Sequence, residues 1–413
     1  MAAGVATVTA LTNILKTKYD QRKLNVMAYE EDPLLALMKK KADTNFGGNN
    51  ARVTLRYGSP QGGSNNFTQA LNNKSTSLDA GFLLTRAKDY HISGIDGETL
   101  EAGEGNENTI LDAVKGEMDG SMRMIRRSLE IGVYGNGGGA RGRISSTSDV
   151  ATTTITLSDP NQIVNFEKGM TIQTGSADGT SGALRNSGAT LTISALDRDA
   201  GTITASAAWD TVTGTVANDY IFRAGDFGTH IKGLSAWLPL AAPTSGDSFF
   251  GVDRSVDTTR LAGIRYTASA GSSKEQTLIK ATARLAREMA KPDMALVNVS
   301  DLSDIALSLG TRIKYEPKSS SDGVFGFQAI QIVTPTLKQP LSLMGTINVP
   351  TGEFYILQSD TWVLKSAGGA PHIDMGDGLR MARDASSDSY TWRLRYYAQL
   401  GCEAPGWNLH GTF

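Results

Sequence analysis

The residues best equipped for chemistry are few and scattered. Four histidines, His91, His230, His372 and His410, stand far apart in the chain, and none belongs to an H-E-x-x-H pair that could seat zinc. Asp89 near His91 and Asp374 near His372 would form a dyad or metal site only if folding brought them together, so a solvated or core histidine is the default at each. "HISGIDGETLE" and "HIDMGDGL" set acidic residues near glycine without the alternating oxygen ligands of a calcium loop. There is no G-x-x-x-x-G-K-[ST] cradle for phosphate and no G-x-S-x-G nucleophile turn. "GNGGGA" fits G-x-G-x-x-A loosely, but it ends a helix instead of joining a strand to one, and reads as a helix stop and linker. Cys402 is the single cysteine, which excludes an intrachain disulfide and a cysteine zinc site, and it reads as a small buried hydrophobe. The five tryptophans show no interleaving with basic residues and read as core or interface anchors. No catalytic, cofactor-binding or metal-ligating set emerges, so the expectation is a protein that is not an enzyme.

The chain's purpose must then lie in its elements. With 413 residues there is room for two or three domains; 40 Lys and Arg against 42 Asp and Glu leave a net charge of -2, too weak a field to draw nucleic acid or an anionic membrane. Glycine, at 45 residues, is well above its usual share of about 7% and points to many turns and loops. No basic-then-apolar leader is visible at the N-terminus, and no run approaches a membrane span.

Residues 1–45 read as two short helices. The second, "DPLLALMKKKAD", has Asp32 as N-cap, Pro33 at the first helical position, and Lys39, Lys40 and Lys41 at a dipole-matched C-terminal end. "ARVTLRYG" alternates as a strand, "GFLLTRAKDYHISGI" at 81–95 is a second extended run, and a long polar loop lies between them. If the two strands pair, the hairpin projects as an arm with little core of its own. Next comes a helix over 109–134. Leu111, Val114, Met118, Met122, Ile125, Leu129 and Val133 form one apolar stripe, Thr109 and Asp112 resemble a capping box, and "GNGGG" supplies a left-handed stop. Gly116 and Gly120 inside it imply close approach by another element. Arg123, Arg126 and Arg127 gather on its flank, either paired locally with Glu130 and Asp119 or facing a neighbour. Residues 146–226 hold short Thr/Ile-rich strands at close spacing, a small β-barrel or sandwich inserted between two other regions. From 227 to 372 the pattern is mixed: a helix with Leu278, Leu285 and Met289 inward, a buried strand "MALVNVS", a short helix "DLSDIALSLG", a loop at 314–326, and further strands. The end is a long strand with Tyr390, Trp392, Leu394 and Tyr396 on one face.

This order of elements resembles the major capsid proteins of tailed bacteriophages. The resemblance rests on "DPLLALMKKKADTNFGGNNARVTLRYGSPQGGS", the helix at 109–134, "GTITASAAWDTVTGTVANDYIFRAGDFG" and "RLRYYAQLGCEAPGWNLHGTF", and as an order of elements it covers nearly the whole chain. It implies an α+β shell fold: an N-terminal helical arm (1–49), an extended loop hairpin lying over an adjacent subunit (50–98), a peripheral domain with a spine helix (99–145), an inserted β domain (146–226), an axial domain (227–372), and a C-terminal strand returning to the peripheral domain (373–413). The candidate subunit contacts are Arg52, Arg56, Asn65, Phe67, Asn72, Lys74, Arg123, Arg126 and Arg127. Lys74 is the only lysine of the loop tip, but the Glu–Asn signature of an isopeptide crosslink is missing, so none is expected. The implied function is self-assembly, as pentamers and hexamers, into an icosahedral head around double-stranded DNA. A separate scaffolding protein and a portal would assist, DNA would be touched weakly and without sequence specificity, no cofactor or membrane is involved, and the place of action is the virion, assembled in the host cytoplasm. Two other readings are a shell of the same fold around protein cargo, and a β-rich carbohydrate-binding or hydrolytic protein.

Overall fold

The computed structural model describes residues 32–42, 46, 48, 50–98, 107–309, 315–320, 323–334, 337, 339–374, 381–384 and 387–413. The fold is α+β, with three hydrophobic cores among the described residues. The first of the two expected N-terminal helices lies outside the described residues.

The first core forms where the long helix Glu107–Tyr134 lies across a sheet built on the closing strand Ser389–Cys402. At about 1.5 Å per residue its 28 residues make a rod of roughly 42 Å. From Met118 onward its stripe is buried as expected: Met118, Met122, Ile125, Leu129 and Val133 all face the core. The capping pair Thr109 and Asp112 and the first part of the stripe fall where side chains are not described. The closing strand pairs antiparallel with Ala87–Asp96 on one edge and with Trp362–Ser366 further along the other. Its inward face is Trp392, Leu394, Tyr396, Ala398 and Leu400, and Trp392 Nε1 donates to Ser121 Oγ on the helix at 3.3 Å.

The second core lies under a seven-stranded mixed sheet covered by helices Lys274–Ala286 and Val299–Leu309. Central strands of this sheet face both cores. Met294 and Leu296 join the first while Ala295 and Val297 join the second, and Tyr355 and Leu357 alternate in the same way with Phe354 and Ile356. That is why "MALVNVS" is apolar at every position instead of every other one.

The third core belongs to the inserted module. Six antiparallel strands run in the order Ala140–Arg143, Tyr220–Arg223, Thr171–Gly175, Leu191–Asp197, Thr202–Ala205, Thr154–Thr156. A bridge between Ile144 and Leu157, with Ser145 N donating to Thr156 O and Ser158 N to Arg143 O, brings the two outer strands together and closes a small barrel. Its first strand, Ala140–Arg143, lies ahead of residue 146, where the sequence reading begins the module. Entry and exit run side by side as two rails: Asn136 bridges Lys232, Gly233 N donates to Gly135 O, and Gly228 N donates to Gly138 O.

Several local expectations are corrected. Asp32 caps Pro33–Leu37 through Leu34 N and Leu35 N as expected, but the helix stops at Met38, which is extended. Lys39–Ala42 is a strand parallel to Trp362–Ser366, so sheet pairing outweighs the dipole preference of the lysines. The extended run 81–95 is two strands. Leu78–Thr85 pairs with Asn50–Gly58, and Ala87–Asp96 pairs with the closing strand. The inward parity changes at Arg86, from Phe82 and Leu84 to Ala87, Asp89 and Ile95. Residues 315–320 and 323–332 form an antiparallel hairpin instead of a loop. Met289 points outward, 85% exposed, because the backbone turns there with φ +58 before Pro292.

The glycines also divide. Outside its own turn of helix, no heavy atom of the described residues lies within 4 Å of a Cβ built on Gly120, so close approach within them does not explain it. The left-handed residues after the long helix are Gly137 and Gly139, and the run serves mainly to let backbones touch. A Cβ on Gly138 would sit 2.0 Å from the Asp178 carbonyl oxygen. Gly138→Ala is therefore expected to destabilise by roughly 2–4 kcal/mol, whereas Gly120→Ala gains about 1 kcal/mol from helix propensity. Urea unfolding midpoints of the two variants should move in opposite directions; equal shifts would refute the assignment.

Candidate assembly surface

The strands Asn50–Gly58 and Leu78–Thr85 form a two-stranded arm whose nine-residue strand spans about 30 Å at roughly 3.4 Å per residue. Its base is held by alternation. Ala51, Val53, Phe82 and Leu84 face inward, and Phe82 meets Trp237 edge-on at 4.8 Å between ring centroids. Trp237 in turn meets Phe249 edge-on and Phe250 at a tilt, and Leu83 N donates to Phe250 O. Toward the tip this core gives out.

At the tip the expected structureless loop contains a short helix, Phe67–Asn72, capped by the Asn66 side chain on Thr68 N and Gln69 N. The tip ties itself together: Ser75 N donates to Gln61 O, and Asn73 Nδ2 to Gly63 O. No residue of this helix is buried. Phe67 is 83% exposed and Leu71 50%, and their i, i+4 spacing sets them on one face.

The arm brings together six of the expected contact residues. Arg52 and Arg56 lie on its outward face, the first with its guanidinium over Gly81 and the second 2.8 Å from Asp79. The bond from Arg56 holds the Asp79 carboxyl below its ordinary value. Asn65, Phe67, Asn72 and Lys74 stand exposed at the tip. The long helix contributes differently. Arg123 is exposed, but Arg127 turns inward to Glu130 (3.0 Å), Asn348 (2.7 Å) and Asn165 (2.7 Å), and Arg126 lies 3.5 Å from Glu130. The local pairing with Glu130 is thus the one realised for these two arginines.

Sequence reasoning passed over Leu71, Leu83, Tyr90 and Ile92, all exposed apolar or aromatic side chains on or beside the arm. The signal was present: Leu83 sits out of phase with Phe82 and Leu84, and Tyr90 and Ile92 with Asp89 and His91. Tyr90 meets Tyr397 through hydroxyls 3.0 Å apart, a bond that raises its pKa.

The histidines are distributed as follows. His410 is buried, with Nδ1 at 2.7 Å from Leu238 O and Nε2 at 3.0 Å from Glu353. His372 Nδ1 lies 2.6 Å from Gly369 O. His91 and His230 line one cavity of about 780 Å3 with Asp89, Arg223 and Asp226. There Arg223 pairs with both Asp89 and Asp226, and Arg141, 2% exposed, lies 3.1 Å from Asp226. Burial pushes the Asp226 carboxyl up; His230, Arg141 and Arg223 outweigh it and hold the group below its ordinary range. The Arg223–Asp89 pair joins the barrel to the sheet beneath it, and the two pairs of Asp226 brace the barrel's own first and last strands. Burial pushes the Cys402 thiol up to about 12, which keeps it unreactive. Among the described residues no group of three or more His, Cys, Asp or Glu side chains is placed to hold a metal ion, and no helix is long and apolar enough to cross a membrane.

No family model and no curated protein matches the chain. Solved structures do. It is similar to a chain of the Cyanophage A-1(L) capsid asymmetric unit, with 13% identity, 92% of each chain covered and a TM-score of 0.47. It is similar to a chain of the capsid of Myoviridae phage XM1, with 9% identity, 92% of this chain and 90% of the other covered, and a TM-score of 0.38. Against the holo-SrpI encapsulin complex from Synechococcus elongatus PCC 7942 the likeness covers 36% of this chain and 52% of the other, with 12% identity and a TM-score of 0.26.

Proposed function

We propose that this chain is the repeating subunit of a closed shell, a major capsid protein of the tailed-phage type that self-assembles around double-stranded DNA. The observation that carries the proposal is the arm. It projects about 30 Å from a base wedged against Trp237, and it ends in a helix with no buried residue and two apolar side chains on one face. Apolar surface at the end of an arm is stabilised when another molecule covers it. A second copy of the same chain can do so for every subunit in turn, a head-to-tail contact that closes into rings. In this reading the arm and Arg123 meet neighbouring subunits, the long helix stiffens the subunit, and the seven-stranded domain meets its copies at ring axes. A separate scaffolding protein, a portal and weak, non-specific contact with DNA belong to the same proposal; the net charge of -2 is in keeping with a container that does not grip its contents.

Electron microscopy of the purified chain, alone and with a co-expressed scaffold, tests it: closed particles are expected. Replacing Phe67 and Leu71 together by Asp should change the unfolding free energy by no more than about 0.5 kcal/mol and abolish the particles. Normal particles from that variant would remove the tip from the account, and a monomer under all conditions would remove the shell. Particles filled with protein instead of nucleic acid would point to the cargo-shell reading.

A further inference from the structure

The arm is fastened differently along its two halves. The inner half is bonded to the body through its backbone: Leu83 N donates to Phe250 O at 2.9 Å, and Lys365 Nζ to Arg52 O at 3.4 Å. In the outer half the ladder slips. Arg56 faces Asp79 and Gly58 faces Leu78, so Tyr57 is an extra residue with none opposite it, a β-bulge. Leu55, Tyr57 and Ala80 rest partly buried against the first core, an apolar contact that fixes no direction. The Tyr57 carbonyl, left without a facing residue, accepts from Arg260 Nη1 at 2.6 Å. Arg260 is itself held: its backbone N donates to Asp257 Oδ1 at 2.8 Å, and its Nε lies 3.8 Å from Glu288 Oε2, just past the helix Lys274–Ala286 of the seven-stranded domain. Beyond the bulge, the hydrogen bonds of the tip among the described residues are internal. Ser75 N donates to Gln61 O, Gln61 N to Ser75 Oγ, and Asn73 Nδ2 to Gly63 O.

We propose that Arg260 is a positioning residue of the arm: by holding the bulged Tyr57 carbonyl it fixes the bend of the strand Asn50–Gly58, and with it the direction in which the tip leaves the molecule. A bulge bends and twists the strand that carries it. A bond from a guanidinium is charge-assisted and directional, so it selects one bend where apolar contact alone would accept several. Because the tip is bonded to itself, the angle taken at Tyr57 is passed whole to Phe67 and Leu71. Trp237 wedges the inner half; Arg260 sets the outer half, and through Glu288 the seven-stranded domain shares in setting it. The consequence for assembly rests on the shell reading, in which a tip that leaves at another angle misses its neighbour.

Hydrogen exchange of the intact chain tests it. Arg260→Ala should speed exchange over 54–58 and 78–81 by about tenfold, and leave 50–53, 82–85 and the tip amide of Ser75 as they were. The urea midpoint should not move, since the Arg260 side chain is 53% exposed. Arg260→Lys, which keeps a donor, should recover most of the protection. Unchanged exchange over 54–58 in Arg260→Ala overturns the proposal. So does an equal rise along the whole strand, which would make the arm one piece, and so does an Arg260→Lys variant no better than Arg260→Ala. Under conditions that give closed wild-type particles, Arg260→Ala should give open or misshapen ones and Arg260→Lys closed ones; regular shells from Arg260→Ala would overturn the part assigned to the bend in assembly. A wild-type chain that forms no particle removes the shell reading instead, and the exchange result on the free chain still decides the bulge.

Discussion

Trp237→Ala is expected to lower the stability of the folded chain by about 3–5 kcal/mol, and to take the footing from the arm. The ring is fully buried and is met by Phe82 of the arm, by Phe249 and by Phe250, while Nε1 donates to Leu400 O at 3.0 Å. Truncation loses the burial of a large aromatic side chain, leaves a cavity among three phenylalanines, and removes the donor to a buried carbonyl. Trp237→Phe keeps much of the volume and should lose less. Urea unfolding gives both numbers. A loss below about 1 kcal/mol for the Ala variant would show that the aromatic cluster does not anchor the arm. In the shell reading Trp237→Ala should also yield misassembled particles before it unfolds the chain, because the angle of the arm is set at this base.

Asp226→Asn is expected to cost about 3–5 kcal/mol, since it leaves Arg141 buried without its counter-charge. Arg141 otherwise has only Ser128 Oγ, at 3.2 Å. Arg223 would keep Asp89 and Arg141 would keep Ser128, so the loss falls on the tie between the first barrel strand and the exit rail. The folded-state value of Asp226 lies below the ordinary carboxylate value of 3.8. Its contribution is therefore complete above that value and fades as pH falls through the lower, folded-state one. Denaturant midpoints of wild type and variant should differ equally at pH 5 and pH 7 and approach each other only in stronger acid. A gap that closes between pH 7 and pH 5 would mean that another group is being titrated.

Much of the fold was legible where one periodicity met one environment. The stripe Met118, Met122, Ile125, Leu129 and Val133 is buried as the spacing implies, because the helix packs on a single sheet. The closing strand behaves likewise, with Trp392, Leu394 and Tyr396 inward. Reading failed where distant partners decide. Lys39–Ala42 carries a helix-end composition and becomes a strand because Trp362–Ser366 offers an edge more than 300 residues away. The division of 81–95 was written in the parity change around Arg86 but needed two separate partner strands to show itself. Met289 keeps helical spacing after its helix has ended. For the surface, the projecting arm was readable from the polarity of its loop, and the six residues singled out on it are exposed. The inward turn of Arg126 and Arg127 was not, since it depends on Glu130 together with Asn348 and Asn165.

The barrel hangs from the rest of the chain by two rails that run side by side, Gly135–Gly138 against Gly228–Gly233. A tour of the whole barrel thus returns the backbone to where it left, and the helix and sheet that bracket it meet the same neighbours whatever is hung between them. Such a pendant can be enlarged, exchanged or shed by splicing at the rails, leaving the load path from arm to rod unbroken. With it would go the bonds of Arg127 to Asn165, Arg223 to Asp89, Arg141 to Ser128 and Asn161 to Thr351.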